Sequence, residues 1–209
     1  MIKAVLFDMD GVLIDAKDWH FEALNDALKI FGIEISYEDH LRTFDGIPTK
    51  EKLKILEKQY YLPSEIHSLI NKIKQRNTVT QTVLKCKPTF TTEYALSQLK
   101  AQGYKIAVCS NSIRSTIELM MNRAALSSYL DLIVSNEDVI KGKPSPEMYL
   151  KAMKYFNINP EEALICEDNE NGIKAALASG AHLLRIGTVE DTNYQNISQR
   201  INEINKGEA

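Results

Sequence analysis

Two acidic side chains follow an apolar run near the start of the sequence. The segment AVLFDMDG, residues 4–11, places Asp8 and Asp10 two positions apart and ends in Gly11. A carboxylate can act as a nucleophile, as a general acid or base, or as a ligand for a hard divalent cation. Glycine lets the chain turn tightly away from a preceding strand. The segment therefore predicts catalytic or metal-binding carboxylates directly after a buried strand.

Three further polar segments have the same placement after apolar runs. They are SNS with Ser110 and Asn111, KGKPSP with Lys143, and EDNENG with Glu167 and Asp168. The loops after the carboxyl ends of parallel strands converge on one edge of a sheet, where ligands bind. Taken singly, each segment is explained equally well by a structural role, as turn residues or helix N-caps, and by a functional one. Their joint order predicts one site that holds acids, a hydroxyl and a lysine.

A cluster of carboxylates is costly unless a cation compensates for their mutual repulsion. Oxygen ligands without histidine or cysteine favour Mg²⁺ over zinc, and Mg²⁺ in proteins commonly bridges to a substrate phosphate. Together with Lys143 and Ser110, such a cation makes a receptor for a phosphate dianion. One Asp is then left to attack phosphorus and the other to transfer protons. The residues therefore predict Mg²⁺-dependent phosphoryl chemistry.

The elements that must position these residues are short apolar strands alternating with amphipathic helices. Strands that are buried on both faces read as continuous runs of Val, Ile and Leu. Alternation of strands and helices predicts an α/β fold with a doubly wound parallel sheet. The five runs are IKAVLF, KIAVCS, LIVS, ALIC and HLLRI.

The alternation stops between the first run and the second. From about Lys17 to Cys86 the sequence shows only helical spacing, such as Phe21, Leu24 and Leu28. A simple crossover between parallel strands needs only about a dozen residues. We therefore predict an α/β core domain of residues 1–16 and 87–209, with an inserted helical domain of residues 17–86.

The composition narrows the class of protein. Hydrophobic residues make up 44% of the 209-residue chain, and the net charge is −3 with basic and acidic residues interspersed. Such a surface gives no broad positive field, so nucleic acid and membrane are not expected partners. The N-terminus lacks the pattern of a secretory signal, and three cysteines without metal-site spacing indicate buried, reduced thiols. We expect a cytoplasmic protein that is a monomer or a weak homodimer.

The four polar segments resemble, in order, the four motifs of the haloacid dehalogenase superfamily. DMDGVLID is similar to the first motif, SNS to the second, KGKPSPEMY to the third and EDNENG followed by IKAALASGA to the fourth. The insertion resembles the α-helical cap of the subfamily that includes β-phosphoglucomutase-like and phosphoglycolate-phosphatase-like enzymes. The resemblance implies a Rossmann-like core and a cap that closes over it.

The resemblance also implies a role for each residue of the site. Asp8 would be the nucleophile and a metal ligand, and Asp10 the acid and base, with its backbone carbonyl on the metal. Lys143 would bridge the nucleophile and the phosphate. The remaining implied roles are phosphate binding by Ser110 and Asn111, and Mg²⁺ binding by Asp168, with Glu167 in its direct or water-mediated shell.

The helical insertion should select the substrate. The segment HLRTFDGIPTKEKLKIL resembles the part of the cap that carries specificity, which implies substrate contacts for Gly46 and Lys50; a turn followed by a solvated helix start is the alternative. His20 lies where relatives carry a histidine that aligns the acid or the leaving group. A structural histidine beside Trp19 and Phe21 is the alternative there.

The function that follows is a phosphatase acting on a small phosphate monoester through an aspartyl-phosphate intermediate. Phosphosugars, polyol phosphates, amino-alcohol phosphates and phosphoglycolate are all compatible substrates. One alternative is a hexose-phosphate mutase of the β-phosphoglucomutase kind, which the hydroxyl-free Ala16 at the hinge disfavours. A second is a non-catalytic phosphate-binding protein on the same fold.

Overall fold

The structure of the chain is a computed structural model that describes residues 1–44 and 46–207. Asp45, inside the segment HLRTFDGIPTKEKLKIL, lies outside the described residues. So do Glu208 and Ala209, the last two residues of the predicted core domain.

A parallel β-sheet is built from the five apolar runs. In the described part of the chain its strand order is β3-β2-β1-β4-β5, with every neighbouring pair parallel. This confirms the predicted α/β fold, because each apolar run contains one strand. The strands are β1 Ala4–Phe7, β2 Lys105–Cys109, β3 Leu132–Val134, β4 Ala163–Glu167 and β5 His182–Arg185.

Helices occupy the predicted connections and the insertion between β1 and β2. Those of the insertion are α1 Lys17–Lys29, α2 Tyr37–Asp39, which continues as a π-helical turn over His40–Phe44, α3 Thr49–Tyr60 and α4 His67–Lys85. The remaining helices are α5 Phe90–Ala101, α6 Arg114–Arg123, α7 Glu147–Phe156, α8 Glu170–Ser179 and α9 Tyr194–Lys206.

The chain divides into two compact units. One consists of Met1–Asp15 and the chain from Lys87 onward, and the other is Ala16–Cys86. The first boundary lies one residue earlier than the sequence predicts. We call these the α/β unit and the helical unit.

The core of the α/β unit lies around the central strand β1, whose four residues are all buried. α7 and α8 cover one face through small and medium apolar side chains, among them Met148, Ala152 and Ala176. The strand order runs outward from β1 in both directions, and right-handed crossovers then place helices on both faces. The order reverses between β1 and β4, which is where open α/β sheets bind ligands.

The helical unit has a core of its own. Leucine and isoleucine side chains of α1, α3 and α4 pack with Phe44, and Leu24, Leu28 and Leu56 are almost fully buried. Buried Asn25 of α1 ties down the chain after the helix, because its carboxamide bonds both the N–H and the C=O of Ile35 at 2.9 and 2.8 Å. This unit therefore does not need the sheet to bury its own apolar faces.

Among the described helices, none has both the length and the apolar character that are needed to cross a bilayer.

Candidate active site

The register of the sheet brings Asp8 and Glu167 to one level. Phe7, the last residue of β1, pairs with Val108 on one side and Cys166 on the other. The next residue, Asp8, therefore follows between its neighbours, and its N–H donates to the Cys166 carbonyl at 3.0 Å. The parallel pairing of β1 with β4 thus places Asp8 beside Glu167, although the two residues are far apart in sequence.

The chain turns sharply after Asp8. Gly11 has φ of 87°, a left-handed conformation that strains other residues. Its N–H donates to the Ile14 carbonyl at 2.7 Å, and the Met9 carbonyl accepts from Leu13 and Ile14 at 2.9 and 3.0 Å. Asp10 lies inside this turn and is half-buried. The turn therefore holds the second acid close to the strand end instead of leading it away.

Lys143 joins two of the predicted acids. Its Nζ lies 2.5 Å from Asp8 Oδ1 and 2.5 Å from Glu167 Oε1, and only 4% of its side chain is exposed. A buried ammonium is unfavourable without partners, but two carboxylates at hydrogen-bond distance meet that need. The structure thus brings together three residues that the sequence predicts for the site.

The charges of this cluster set the protonation of its members. Burial alone would lower the pKa of Lys143, but the Asp8 and Glu167 carboxylates reverse this and raise it, so the ammonium persists. Burial raises the pKa of Asp8 well above its usual range, Lys143 opposes this rise, and nearby carboxylates, Glu167 first, add to it. One ammonium among several acids therefore leaves an excess of negative charge.

A divalent cation fits this cluster. Asp8, Glu167 and Asp168 each offer a carboxylate oxygen, and these oxygens lie within 4.8 Å of one another. At that distance each pair of charges repels by about 3–4 kcal/mol at the effective dielectric near a protein surface. Within residues 1–44 and 46–207 no other such group of His, Cys, Asp or Glu occurs. The all-oxygen donor set matches a hard cation.

Glu167 is held by residues that the sequence analysis missed. The Tyr149 hydroxyl donates to Glu167 Oε1 at 2.6 Å. Burial, with Glu167 and Asp8 nearby, raises the pKa of Tyr149 well above its usual value, so its hydroxyl keeps its proton. A Cβ on Gly172 would meet Glu167 Oε1 at 1.8 Å. The sequence offers two signs of these contacts, a tyrosine six positions after Lys143 and a glycine five positions after Glu167.

Ser110 and Asn111 lie after β2 as predicted. The Ser110 N–H donates to the Val134 carbonyl at 3.0 Å, and its Oγ accepts from the Ser112 N–H at 3.1 Å. The Asn111 carboxamide pairs with the backbone of Lys143, with Oδ1 accepting at 2.9 Å and Nδ2 donating at 3.3 Å. Asn111 thus fixes the segment that carries Lys143, and its contact with phosphate stays a prediction.

The remaining predicted residues belong to the helical unit. His20 lies on α1, where its Nδ1 is 3.2 Å from the Nζ of Lys74, a residue that the sequence analysis did not single out. Since an ammonium only donates, this contact requires an unprotonated Nδ1 on His20. Gly46 is exposed with φ of 70°, and Lys50 is exposed in the first turn of α3. Substrate contacts by these three stay predictions.

The three cysteines are buried and form no disulfide. Cys109 is the last residue of β2, Cys166 precedes Glu167 at the end of β4, and Cys86 is the last residue of the helical unit. Burial raises the pKa of the Cys109 thiol to about 12, and it also raises that of Cys166. The thiols of Cys109 and Cys166 therefore favour the protonated form at neutral pH, so they contribute packing and no nucleophile.

Comparison with known proteins decides the family. The family model described as haloacid dehalogenase-like hydrolase matches residues 5–186. The chain belongs to this family. It is therefore an enzyme, a hydrolase, and the predicted superfamily is confirmed. The matched range contains Asp8, Asp10, Ser110, Lys143 and Asp168.

Curated relatives of the hydrolase match over most of its length. It is 33% identical over 180 residues to a phosphoglycolate phosphatase of Aquifex aeolicus, covering 86% of this chain and 82% of that protein. It is 29% identical over 193 residues to a phosphorylated carbohydrates phosphatase of Thermotoga maritima, covering 92% and 88%. Both relatives carry the name of a phosphatase.

Solved structures share the fold of the hydrolase. The crystal structure of a β-phosphoglucomutase from Clostridium difficile superposes with a TM-score of 0.84 at 25% identity, covering 97% of this chain and 98% of that one. A protein from Haemophilus somnus described as a predicted phosphoglycolate phosphatase shows the same fold, with 19% identity, a TM-score of 0.79, and coverage of 96% of this chain and 98% of that one.

Substituting Asn111 tests its hold on the Lys143 segment. We expect Asn111→Ala to lower the free energy of unfolding of the hydrolase by about 1–3 kcal/mol, because the Lys143 N–H loses its acceptor. Urea unfolding followed by circular dichroism measures the change. The control is Asn122→Ala on α6, an exposed asparagine, for which we expect less than about 0.5 kcal/mol. Equal changes in the two variants would contradict the interpretation.

Proposed function

We propose that this hydrolase is a Mg²⁺-dependent phosphatase that acts on small phosphate monoesters through an aspartyl-phosphate intermediate. The observation that carries the proposal is the Lys143 ammonium held 2.5 Å from Asp8 in a buried cluster of carboxylates. A cation beside a nucleophilic carboxylate suits attack on an anionic phosphate, because it balances charge on both reactants. Phosphatases among the relatives support the same reaction type.

The reaction has two steps in which Asp8 and Asp10 change roles. In the first, an Asp8 carboxylate oxygen bonds to phosphorus, the ester P–O bond breaks, and the leaving alkoxide takes a proton from Asp10. In the second, Asp10 removes a proton from water, whose oxygen attacks the phosphorus of the acyl phosphate. The Asp8–phosphorus bond breaks, and inorganic phosphate and the free carboxylate are released.

Lys143 serves both steps. Its contact with Asp8 Oδ1 fixes one of the two carboxylate oxygens, so that the nucleophile has a defined orientation. The same ammonium offsets the negative charge that builds up on the phosphoryl oxygens. Ser110, directly after β2, supplies a further phosphate contact in this proposal. Asn111 either binds the phosphate as well or holds the backbone of Lys143 in position.

Asp8, Asp168 and the backbone carbonyl of Asp10 would hold the Mg²⁺ ion in this proposal, and Glu167 would belong to its direct or water-mediated shell. The bound ion supplies positive charge that offsets the phosphate dianion and the carboxylates. The excess of carboxylates around one ammonium supports this assignment.

The substrate in this proposal is a compact phosphate ester. Relatives named for phosphorylated carbohydrates and for phosphoglycolate support phosphosugars, polyol phosphates and related small esters. The helical unit acts as a cap in this proposal, with His20, Gly46 and Lys50 as its substrate-selecting residues. The cytoplasmic location and the monomeric or weakly dimeric state stay predictions.

A hexose-phosphate mutase is the second candidate, because the fold matches that of a β-phosphoglucomutase. Ala16 argues against it. This residue is at the N-cap of α1, is fully buried and provides no side-chain hydrogen bond. A mutase must protect its aspartyl phosphate from water through a more demanding hinge and cap. We therefore rank hydrolysis first.

A panel of phosphate esters tests the proposed activity. Purified protein with Mg²⁺ is incubated with sugar, polyol, amino-alcohol and glycolate phosphates, and release of inorganic phosphate is measured. We expect fast release from one compound or a few related ones. Absence of release from every ester by folded protein would contradict the phosphatase, and isomerisation of a hexose phosphate in the presence of a sugar bisphosphate would then identify the mutase.

Asp8→Asn tests the covalent mechanism. The amide is a poor nucleophile, so we expect the rate of phosphate release to fall by about a thousandfold or more while thermal unfolding still shows a folded protein. Asp26→Asn on α1 is the matched control, since Asp26 is exposed, and it should keep full activity. Activity of Asp8→Asn within about tenfold of the parent would refute attack by Asp8.

Removal of the metal tests the cofactor. We expect a chelator to abolish phosphate release and added Mg²⁺ to restore it. We also expect Asp168→Asn to weaken Mg²⁺ binding, measured by calorimetry, by about tenfold or more, because a charged ligand is lost. Glu170→Gln, an exposed acid three positions after Glu167, serves as the control and should bind Mg²⁺ like the parent. Full activity of metal-free enzyme would disprove the assignment.

A further inference from the structure

The Glu167 carboxylate is surrounded by protein donors. Its Oε1 accepts from Lys143 Nζ at 2.5 Å and from the Tyr149 hydroxyl at 2.6 Å. Its Oε2 accepts from the backbone N–H groups of Asp168 and Asn169 at 3.1 and 3.4 Å. Four protein donors therefore approach this carboxylate, two at each oxygen. Because the side chain is also fully buried, its orientation depends on these donors.

Tyr149 contacts both members of the Lys143–Glu167 pair. It is a fully buried residue of α7, and its hydroxyl reaches Glu167 while the centre of its ring lies 4.9 Å from Lys143 Nζ. The electron-rich ring face attracts the ammonium, and the hydroxyl and that ammonium donate to the same carboxylate oxygen. The position of Lys143 therefore depends on Tyr149 in two ways.

Gly172 closes the other side of Glu167. A Cβ at this position would lie 1.8 Å from Oε1 and 2.0 Å from Cδ of Glu167, so any larger residue displaces the carboxylate. Gly172 belongs to the first turn of α8. The carboxylate is thus confined between α7, α8 and Lys143, and it cannot rotate away without losing a donor.

We propose that Tyr149 is a positioning residue for hydrolysis: it orients Glu167 so that Lys143 is held against Asp8 and meets the reacting phosphoryl group. This inference rests on the proposed phosphatase function. Tyr149 touches neither phosphate nor nucleophile in this role. Its effect is on the stability of the transition state, because the ammonium must already be in place when charge develops on the phosphoryl oxygens.

Tyr149→Phe tests this role, because it keeps the ring and removes the hydroxyl. We expect kcat to fall about tenfold, as for loss of a hydrogen bond to a charged group, with KM changed by less than about threefold. The control is Tyr155→Phe on the same helix, where the residue is 65% exposed, and kcat should not change. The substrate is the best ester of the panel, or p-nitrophenyl phosphate.

Thermal unfolding separates positioning from a purely structural role. A structural role would lower the unfolding temperature of Tyr149→Phe and leave kcat, measured well below that temperature, within about twofold of the parent. That result would overturn the proposal.

Gly172→Ala displaces the same Glu167 carboxylate by a different contact, because the added Cβ clashes with it. It should lower kcat as well, and the double variant Tyr149→Phe/Gly172→Ala should lose little more than the larger single effect, because both act through Glu167. Multiplied effects in the double variant would show that Tyr149 acts elsewhere and would refute the inference. If Tyr149→Phe does not fold, an unchanged kcat in Gly172→Ala refutes it instead.

Crystal structures of the parent and of Tyr149→Phe distinguish failure of this inference from failure of the proposed function. If the parent hydrolyses no ester, the phosphatase proposal fails by itself. We expect Lys143 Nζ in the variant to lose its bridging position between Asp8 and Glu167 whether or not turnover is observed. An unchanged position of Lys143 would refute the role of Tyr149.

Discussion

The buried Lys143 ammonium is the constraint on which the site depends. Moving an ion of this kind out of water costs several kcal/mol, and the cost is recovered only when well-placed counter-charges accept its hydrogen bonds. The partners come from the ends of two different strands, since Asp8 follows β1 and Glu167 ends β4. Pairing of β1 with β4 therefore places both counter-charges of Lys143.

The order of strands explains why the acids meet where they do. Chain connections leave β1 toward β2 and β3 on one side, while β4 and β5 lie on the other. The crevice between β1 and β4 lies where the strand order reverses, which is where open α/β sheets bind ligands. Into this gap the loop after β3 delivers Lys143, and Asn111 holds that loop by its backbone. Strand pairing and the hydrogen bonds between the Asn111 side chain and the Lys143 backbone thus help to define the geometry of the site.

The sequence predicts the fold and the polar segments because each depends on local pattern. Five apolar runs identify five strands, and a polar segment after each of four marks the sheet edge. The residues that the sequence does not predict are those whose roles depend on contacts between distant parts of the fold. Tyr149 reads as one more apolar residue on α7, since periodicity does not show where a hydroxyl points. Lys74 reaches His20 across 54 positions, and Gly172 acts through a carboxylate of another element.

The three native cysteines have a practical consequence. Cys86, Cys109 and Cys166 are buried, and for the two in the sheet the raised pKa keeps the thiolate scarce, so reagents that attack exposed thiolates meet little reaction from them. A cysteine introduced at an exposed position would then be the dominant labelling site. Pairs of spectroscopic labels, one on each unit, can report the distance between the units during turnover without a cysteine-free background.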